Sequence, residues 1–288
     1  MTLSELKNIW RENNFRPQKR LGQNFLVDNN IRDNILAGIS LDTQSTVVEI
    51  GSGFGVMTFG LAAKCRKLYA IEKDRDICNM MGPLFREKGN IELMSGDIRE
   101  LKISSFAPSG GKITLTGNIP YYITTPIIEK IVEERECITS AYLVIQDEYA
   151  ERVVAFPGSR DYGSLSCYVQ FYTKPRRVFK ISKNSFYPRP AVDSCFIELS
   201  ILPAPSVEVQ NKDVMFQIIH KAFSQRRKQV LNSLSHGRFL SLERGDWESI
   251  LSVSGIGPSK RAEDISLADY ARMSDIAVND FLSRREGL

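Results

Sequence analysis

The sequence predicts an α/β fold: a mainly parallel, doubly wound sheet followed by a small helical domain. Three observations predict it. Short apolar, β-branched runs alternate with helix-like stretches over the first 160 residues, a glycine-rich turn follows the first run, and the strand signal stops after "LPAPS" (202–206). At 288 residues and 42% hydrophobic content, the chain can bury one large core and a satellite. The expected division is residues 1–205 for the sheet domain and 206–288 for the helical one.

The runs expected as parallel strands are "TVVEI" (46–50), "LYAI" (68–71), "IELM" (91–94), "ITLTG" (113–117) and "AYLVIQ" (141–146). "CYVQFYT" (167–173) and "SCFIELSI" (194–201), with no convincing helix between them, read as an antiparallel pair added to that sheet. In "VMFQIIHKAFSQRRKQVLNSL" (214–234) apolar residues recur at helical spacing against a basic opposite face, which predicts one helix. Shorter helices are expected over 247–253 and 267–288, separated by the breaker-rich "SGIGPSK" (254–260).

Composition excludes several classes. The five cysteines are odd in number and lack any CxxC spacing, so neither a disulfide framework nor a thiolate zinc site is suggested and no metal is expected. No apolar run approaches the roughly 18 residues of a membrane span. Glu5 and Glu12 stand where a targeting segment would be acid-poor. A cytoplasmic, monomeric protein is expected. The net charge of +4 decides little, but its distribution is uneven. Lys174, Arg176, Arg177, Lys180, Lys183 and Arg189 form an acid-free segment, as do Lys221, Arg226, Arg227 and Lys228 on the expected helix. Arg11, Arg16, Lys19 and Arg20 make a third cluster around Phe15. Basic clusters of this kind suit a polyanion, though each is also compatible with plain solvated surface.

"VVEIGSGFG" places Gly51, Gly53 and Gly55 between a strand and a helical run at 56–64. Glycines there permit a sharp turn and close approach of a ligand to the backbone. Glu72 ends the second strand, 19 positions after Gly53, where an acid accepts from ribose hydroxyls, and Asp97 ends the third. An acid at the third strand end suits an adenine amine. Glu49 directly precedes the turn, which is awkward for a pyrophosphate and tolerable for the positive charges of S-adenosylmethionine. S-adenosylmethionine is therefore favoured over a dinucleotide.

The fourth strand ends in "GNIPYYITTP" (117–126). An exocyclic base amine is a poor nucleophile, because its lone pair is delocalised into the ring. Two acceptors, the Asn118 side-chain oxygen and the Ile119 carbonyl, would draw the nitrogen towards tetrahedral geometry. Pro120 fixes the turn, and Tyr121 offers a face on which an extruded base stacks. Tyr122 has no assigned role.

Together these segments resemble the KsgA-type rRNA adenine dimethyltransferases. The resemblance spans nearly the whole chain, through "KRLGQNFLVD" (19–28), "VVEIGSGFG" (47–55), "AIEKD" (70–74), "GNIPYYITTP" (117–126), "FYPRPAVDS" (186–194), "AFSQRRKQVLNSL" (222–234) and "RAEDISLADY" (261–270). It implies a Rossmann-like class I S-adenosylmethionine-dependent methyltransferase domain with a small C-terminal α-helical domain. The implied reaction is dimethylation at N6 of two adjacent adenosines near the 3′ end of small-subunit (16S) rRNA, within the assembling subunit. By the same resemblance Asn24, Leu26, Gly51, Gly53, Glu72, Asp97 and Asn118 would hold the cofactor, and Tyr121 and Phe186 would sandwich the adenine. Arg176, Arg177, Arg189, Arg226, Arg227 and Lys228 would grip rRNA phosphates. Three positions depart from the commonest bacterial pattern: Ile119 replaces Leu, Tyr122 replaces Asn and Ala191 replaces Lys. The rival readings are an erythromycin-resistance type enzyme acting on large-subunit (23S) rRNA and a non-catalytic RNA-binding or transcription factor on the same fold.

Overall fold

Nine strands occur among the residues that the computed structural model describes, 1–237 and 239–282. They are β1 (Phe25–Leu26), β2 (Thr46–Ile50), β3 (Lys67–Glu72), β4 (Ile91–Ser95), β5 (Ile113–Asn118), β6 (Ile138–Gln146), β7 (Thr173–Ile181), β8 (Phe186–Tyr187) and β9 (Ser194–Ile201). Every residue of β2 is buried, as expected of a strand covered on both faces.

Seven strands form one sheet in the order β4-β3-β2-β5-β6-β9-β7, parallel from β4 through β6, with β9 antiparallel to β6. Chain order reverses at β2, which lies between β3 and β5. The carboxyl ends of β2 and β5 thus flank the crevice where such sheets bind ligands. The other two strands make a small ladder of their own, pairing Phe25 with Tyr187 and Leu26 with Phe186.

Contacts divide the chain into two units, Met1–Ala150 with Lys174–Ile201, and Glu151–Thr173 with Leu202–Leu288. The expected boundary at 205/206 therefore gives way to a split second unit. Residues 151–173 join it because Tyr162 and Phe171 bury their rings there, 6.0 Å from Phe223 and 5.2 Å from Phe216. Gly158 N also donates to the Glu263 carbonyl at 2.7 Å.

"CYVQFYT" is correspondingly not a strand. Its residues lie in the helix Ser164–Tyr172 and the first position of β7. Gly163 N donates to the Ser166 hydroxyl at the helix start, and the Thr173 hydroxyl donates to the Val169 carbonyl at its end. The strand beside β9 is instead the basic segment 173–181, with Pro175 tolerated because β7 is a sheet edge.

The single helix expected over 214–234 is two, Lys212–Phe223 and Val230–Leu234. Backbone pairing of Gln229 with Arg261, and of Val230 N with the Lys260 carbonyl, interrupts it. Arg226, Arg227 and Lys228 consequently sit in a turn, not on a helix face. The last α-helix runs Leu267–Ile276 and continues as a π-helix over Ala277–Leu282, while residues 283–288 of the expected span lie outside the described residues.

The first unit also has an N-terminal helix, Leu3–Glu12, closed by a reciprocal cap between Thr2 and Glu5. Trp10 meets Phe25 and Tyr187 at 5.8 and 5.3 Å, and Phe15 meets Phe54 at 5.1 Å, so the N-terminal basic cluster overlies an aromatic core. No described helix is long and apolar enough to cross a membrane.

Candidate active site

The carboxyl ends of β2, β3 and β5 open on a cleft in which apolar side chains such as Ile50, Ile71 and Ile98 stand among a few polar groups, the usual lining of a small-molecule site. Asn24, Gly51, Gly53, Glu72, Asp97, Asn118, Ile119, Pro120, Tyr121 and Phe186 all line it. Leu26 does not. Alternation along β1 turns Phe25 to the cleft and Leu26 to a smaller cavity beneath, which also touches Asn118 and Phe186.

The glycine turn is built as its residues require. Gly51 and Gly53 have φ of 73° and 52°, and Gly51 N and Ser52 N both donate to the Ile71 carbonyl, at 2.8 and 3.2 Å. A Cβ on Gly53 would stand 3.3 Å from the Phe25 ring. The helix that follows is shorter than the expected 56–64 and covers Thr58–Ala62 only.

Glu72 is buried, and its two oxygens accept from Gly53 N at 2.9 Å and Asp74 N at 2.8 Å. Burial pushes its carboxyl above the usual range, against the pull of those two amides. Each oxygen retains a lone pair for a ligand hydroxyl. Asp97 is more committed. Arg99 reaches it at 2.6 Å and Lys73 at 2.9 Å, and these cations hold its carboxyl well below the usual range. An adenine amine at Asp97 must displace one of those donors.

A strap made by residues 18–24 closes one side of the cleft. Gln23 and Gln18 donate to Asp74 Oδ2 at 2.7 and 3.1 Å, and Gln18 N donates to Gln23 Oε1 at 2.6 Å. Asp74 also caps the helix Arg75–Arg86 through Asp76 N. Gln23 and Phe25 lie within "KRLGQNFLVD" and Lys73 within "AIEKD" without having been assigned a role, and Arg99 belongs to none of the quoted segments.

At the end of β5 the Asn118 side-chain nitrogen donates to the Asn24 carbonyl at 2.9 Å. That bond orients the amide. Its oxygen, like the Ile119 carbonyl, meets no donor among the described residues, while Ile119 N is fixed by the Val144 carbonyl at 3.0 Å. The Ile119 side chain is buried, so the carbonyl is the part of this residue available to a ligand. Tyr121 is half-buried in a short 3-10 turn, and its hydroxyl pairs with the Ser194 hydroxyl at 2.8 Å. Phe186 is buried at 4% exposure and reaches the cleft from its floor. Tyr122, by contrast, is half-exposed at the rim, 3.3 Å from where a Cβ on Gly22 would stand.

The basic residues are less uniform than their clustering suggests. Arg176 pairs with Glu198 at 2.6 Å, Arg177 with Asp147, and Lys180 with both Asp147 and Asp193 at 2.9 and 3.2 Å. Arg226 donates to the Arg160 and Tyr162 carbonyls at 2.6 and 3.1 Å and approaches Glu263 at 3.5 Å. Arg189, Arg227 and Lys228 are exposed and form no ion pair with another described residue.

Strand order and cleft together are those of the class I S-adenosylmethionine-dependent methyltransferases. Among solved structures the chain resembles a dimethyladenosine transferase from Plasmodium falciparum, with TM-score 0.71, 23% identity and coverage of 86% of this chain and 95% of that one. It also resembles the 23S rRNA methyltransferase ErmE, with TM-score 0.69, 24% identity and coverage of 87% and 98%. Those likenesses establish the fold, and sequence carries the rest. The family model for ribosomal RNA adenine dimethylase matches residues 14–279. The chain is 38% identical over 279 residues to the Ribosomal RNA small subunit methyltransferase A of Pelotomaculum thermopropionicum, covering 94% of each. It is 35% identical over 269 residues to the protein of that name from Clostridium botulinum, covering 93% of this chain and 97% of the relative. The chain belongs to the ribosomal RNA adenine dimethylase family.

Proposed function

We propose that the protein dimethylates N6 of two adjacent adenosines near the 3′ end of small-subunit rRNA, acting as a cytoplasmic monomer on the assembling subunit. The observation that carries this reading is the lock on Asn118. Its amide nitrogen is held by Asn24, which leaves the amide oxygen and the Ile119 carbonyl as paired acceptors at the cleft. Two acceptors side by side suit an amine with two N–H bonds.

S-adenosylmethionine, when bound, supplies an electrophilic methyl group on a sulfonium centre. The chain's residues fit it: Glu72 has lone pairs left for a ribose diol, Ile71 and Ile98 give apolar walls, and Gly51 and Gly53 admit close approach. Asn24 holds the strap against Asn118. Asn118 and Ile119 orient the target amine, Pro120 sets the turn, and Tyr121 with Phe186 flanks the base. Stacking worth about 1–3 kcal/mol per base offsets the cost of extruding it. Rate enhancement then comes mainly from alignment of the nucleophile with the methyl.

For the RNA, the geometry favours Arg189, Arg227 and Lys228 as direct phosphate contacts. Arg176, Arg177 and Arg226 contribute positive field while serving first as internal partners.

Incubation with labelled methyl donor and unmethylated small or large ribosomal subunits, followed by nucleoside mass spectrometry, tests the reading. N6,N6-dimethyladenosine in the small subunit is expected. Label confined to large-subunit RNA would overturn the substrate, and no label in either would overturn the activity.

A further inference from the structure

Glu49 lies one strand-turn away from this chemistry and takes no part in it so far. In the register of the sheet it pairs with Thr116 of β5, so Glu49, Thr116 and Asn118 share one face. Two residues along and one strand across puts the backbone of Asn118 roughly 8 Å from that of Glu49.

Glu49 is 3% exposed, and its Oε2 is buried with no hydrogen-bond partner among the described residues. An ionised, unpaired carboxylate in such a place is costly. Burial pushes this carboxyl up to about 8; the neighbouring Thr58 hydroxyl opposes the rise and the Glu72 carboxylate adds to it. The other titratable groups facing it are Cys65, ahead of β3, and Tyr142 of β6, both themselves pushed up by burial. No cation is among them.

Glu49 also lines the small cavity beneath the cleft, together with Thr116, Asn118, Tyr142 and Phe186. Measured at the centre of a water-sized sphere, the cavity is about 20 Å³, room for one water. Asn118 and Phe186 are the side chains common to cavity and cleft.

We infer that Glu49 is a proton store for the methyl-transfer site: its buried carboxyl gives up a proton when the cationic methyl donor binds, and takes one back as methyl transfer removes that charge. The inference rests on the proposed function and deepens it.

A unit positive charge at about the distance of Asn118 lowers a carboxyl by roughly one to two units at an effective dielectric near 20. That carries Glu49 from mostly neutral to mostly ionised near pH 7.5. In the transfer step the amine lone pair forms the N–C bond, and the C–S bond breaks with its electrons left on sulfur. The surplus N6 proton passes to Glu49 through the cavity that Asn118 and Glu49 both line, which has room for one water. The site then holds a neutral thioether and a neutral acid where it held a cation and a carboxylate.

Calorimetry in buffers of different ionisation enthalpy tests this, counting protons exchanged when S-adenosylmethionine or S-adenosylhomocysteine binds at pH 7.5. The two ligands share their α-amino and carboxyl groups, so the difference between them isolates the sulfonium. About half a proton or more should be released with the sulfonium ligand in excess of the thioether. In Glu49→Gln that excess should vanish while S-adenosylhomocysteine still binds. Equal proton counts for both ligands on the native protein, or an excess that persists in Glu49→Gln, would overturn the proposal and leave the cofactor reading intact. Failure of both ligands to bind the native protein would overturn both.

Discussion

Asn118→Asp separates the orientation of the acceptor from its mere presence. The substitution keeps Oδ1 but replaces the amide nitrogen with an oxygen 2.9 Å from the Asn24 carbonyl. One hydrogen bond worth about 0.5–1.5 kcal/mol net is lost, and two part-buried acceptors are left facing each other at a further cost of about 1–3 kcal/mol. A total of about 1.5–4.5 kcal/mol, expressed in the transition state, slows methyl transfer by about 10- to 2000-fold. Protonating the new carboxyl restores a donor to Asn24, so the deficit should shrink as pH falls. Single-turnover transfer at saturating RNA and methyl donor, from pH 5.5 to 8.5, measures this directly. An Asp variant within about threefold of the native rate at pH 8 would refute the lock. Asn118→Ala provides the reference, with transfer abolished and rRNA binding retained.

Arg226→Ala should destabilise the second unit by about 1–2 kcal/mol in denaturant unfolding, since its guanidinium ties down two backbone carbonyls. Replacing Arg227 and Lys228 together should leave that stability unchanged and lower the salt slope of subunit binding by about 0.7 per lost single-strand contact; an unchanged slope would remove the turn from the interface. Gly117→Ala places a Cβ 2.6 Å from the Ile50 carbonyl oxygen on the next strand, and should cost about 1–3 kcal/mol or more, lowering Tm by about 3–10 °C in calorimetry. Glu49 has a folded value of about 8 against an ordinary 4.5, so the folded protein holds the extra proton between those limits. Stability attributable to it therefore falls as pH rises from about 4.5 to about 8, and the Tm of Glu49→Gln relative to native should climb over that window. A difference flat with pH would contradict the buried, neutral acid.

Local pattern carried most of the sheet. "TVVEI" and "SCFIELSI" coincide with β2 and β9 residue for residue, because uniform burial and alternation leave their mark in the sequence itself. "CYVQFYT" misled for a physical reason: a short stretch with five apolar or aromatic residues in seven suits a strand or a buried helix equally, and the Ser166 cap decides between them. The break at 224–229 was invisible because its cause, Arg261, lies more than thirty positions away. Ten of the eleven residues expected to act at the cofactor or target base line the cleft, since strand ends of a doubly wound sheet converge whatever their sequence separation. Gln23 comes instead from a strap whose position depends on Asp74, and Phe25 from β1 directly after it. The pairing of charges on Arg176, Arg177 and Arg226 was equally hidden, for a count of basic residues contains no information about which carboxylates or carbonyls they meet.

The ladder of β1 with β8 spans only two residues on each side, yet it joins the strap that orients Asn118 to the loop that brings Phe186. Two ligands that press on opposite ends of one short girder share its free energy. Whatever factor a bound methyl donor contributes to the grip on the flipped adenosine, the adenosine must return to the methyl donor. The loss of the donor's charge and methyl in each turnover would then loosen the target base at the moment when a fresh donor, or the neighbouring adenosine, has to enter.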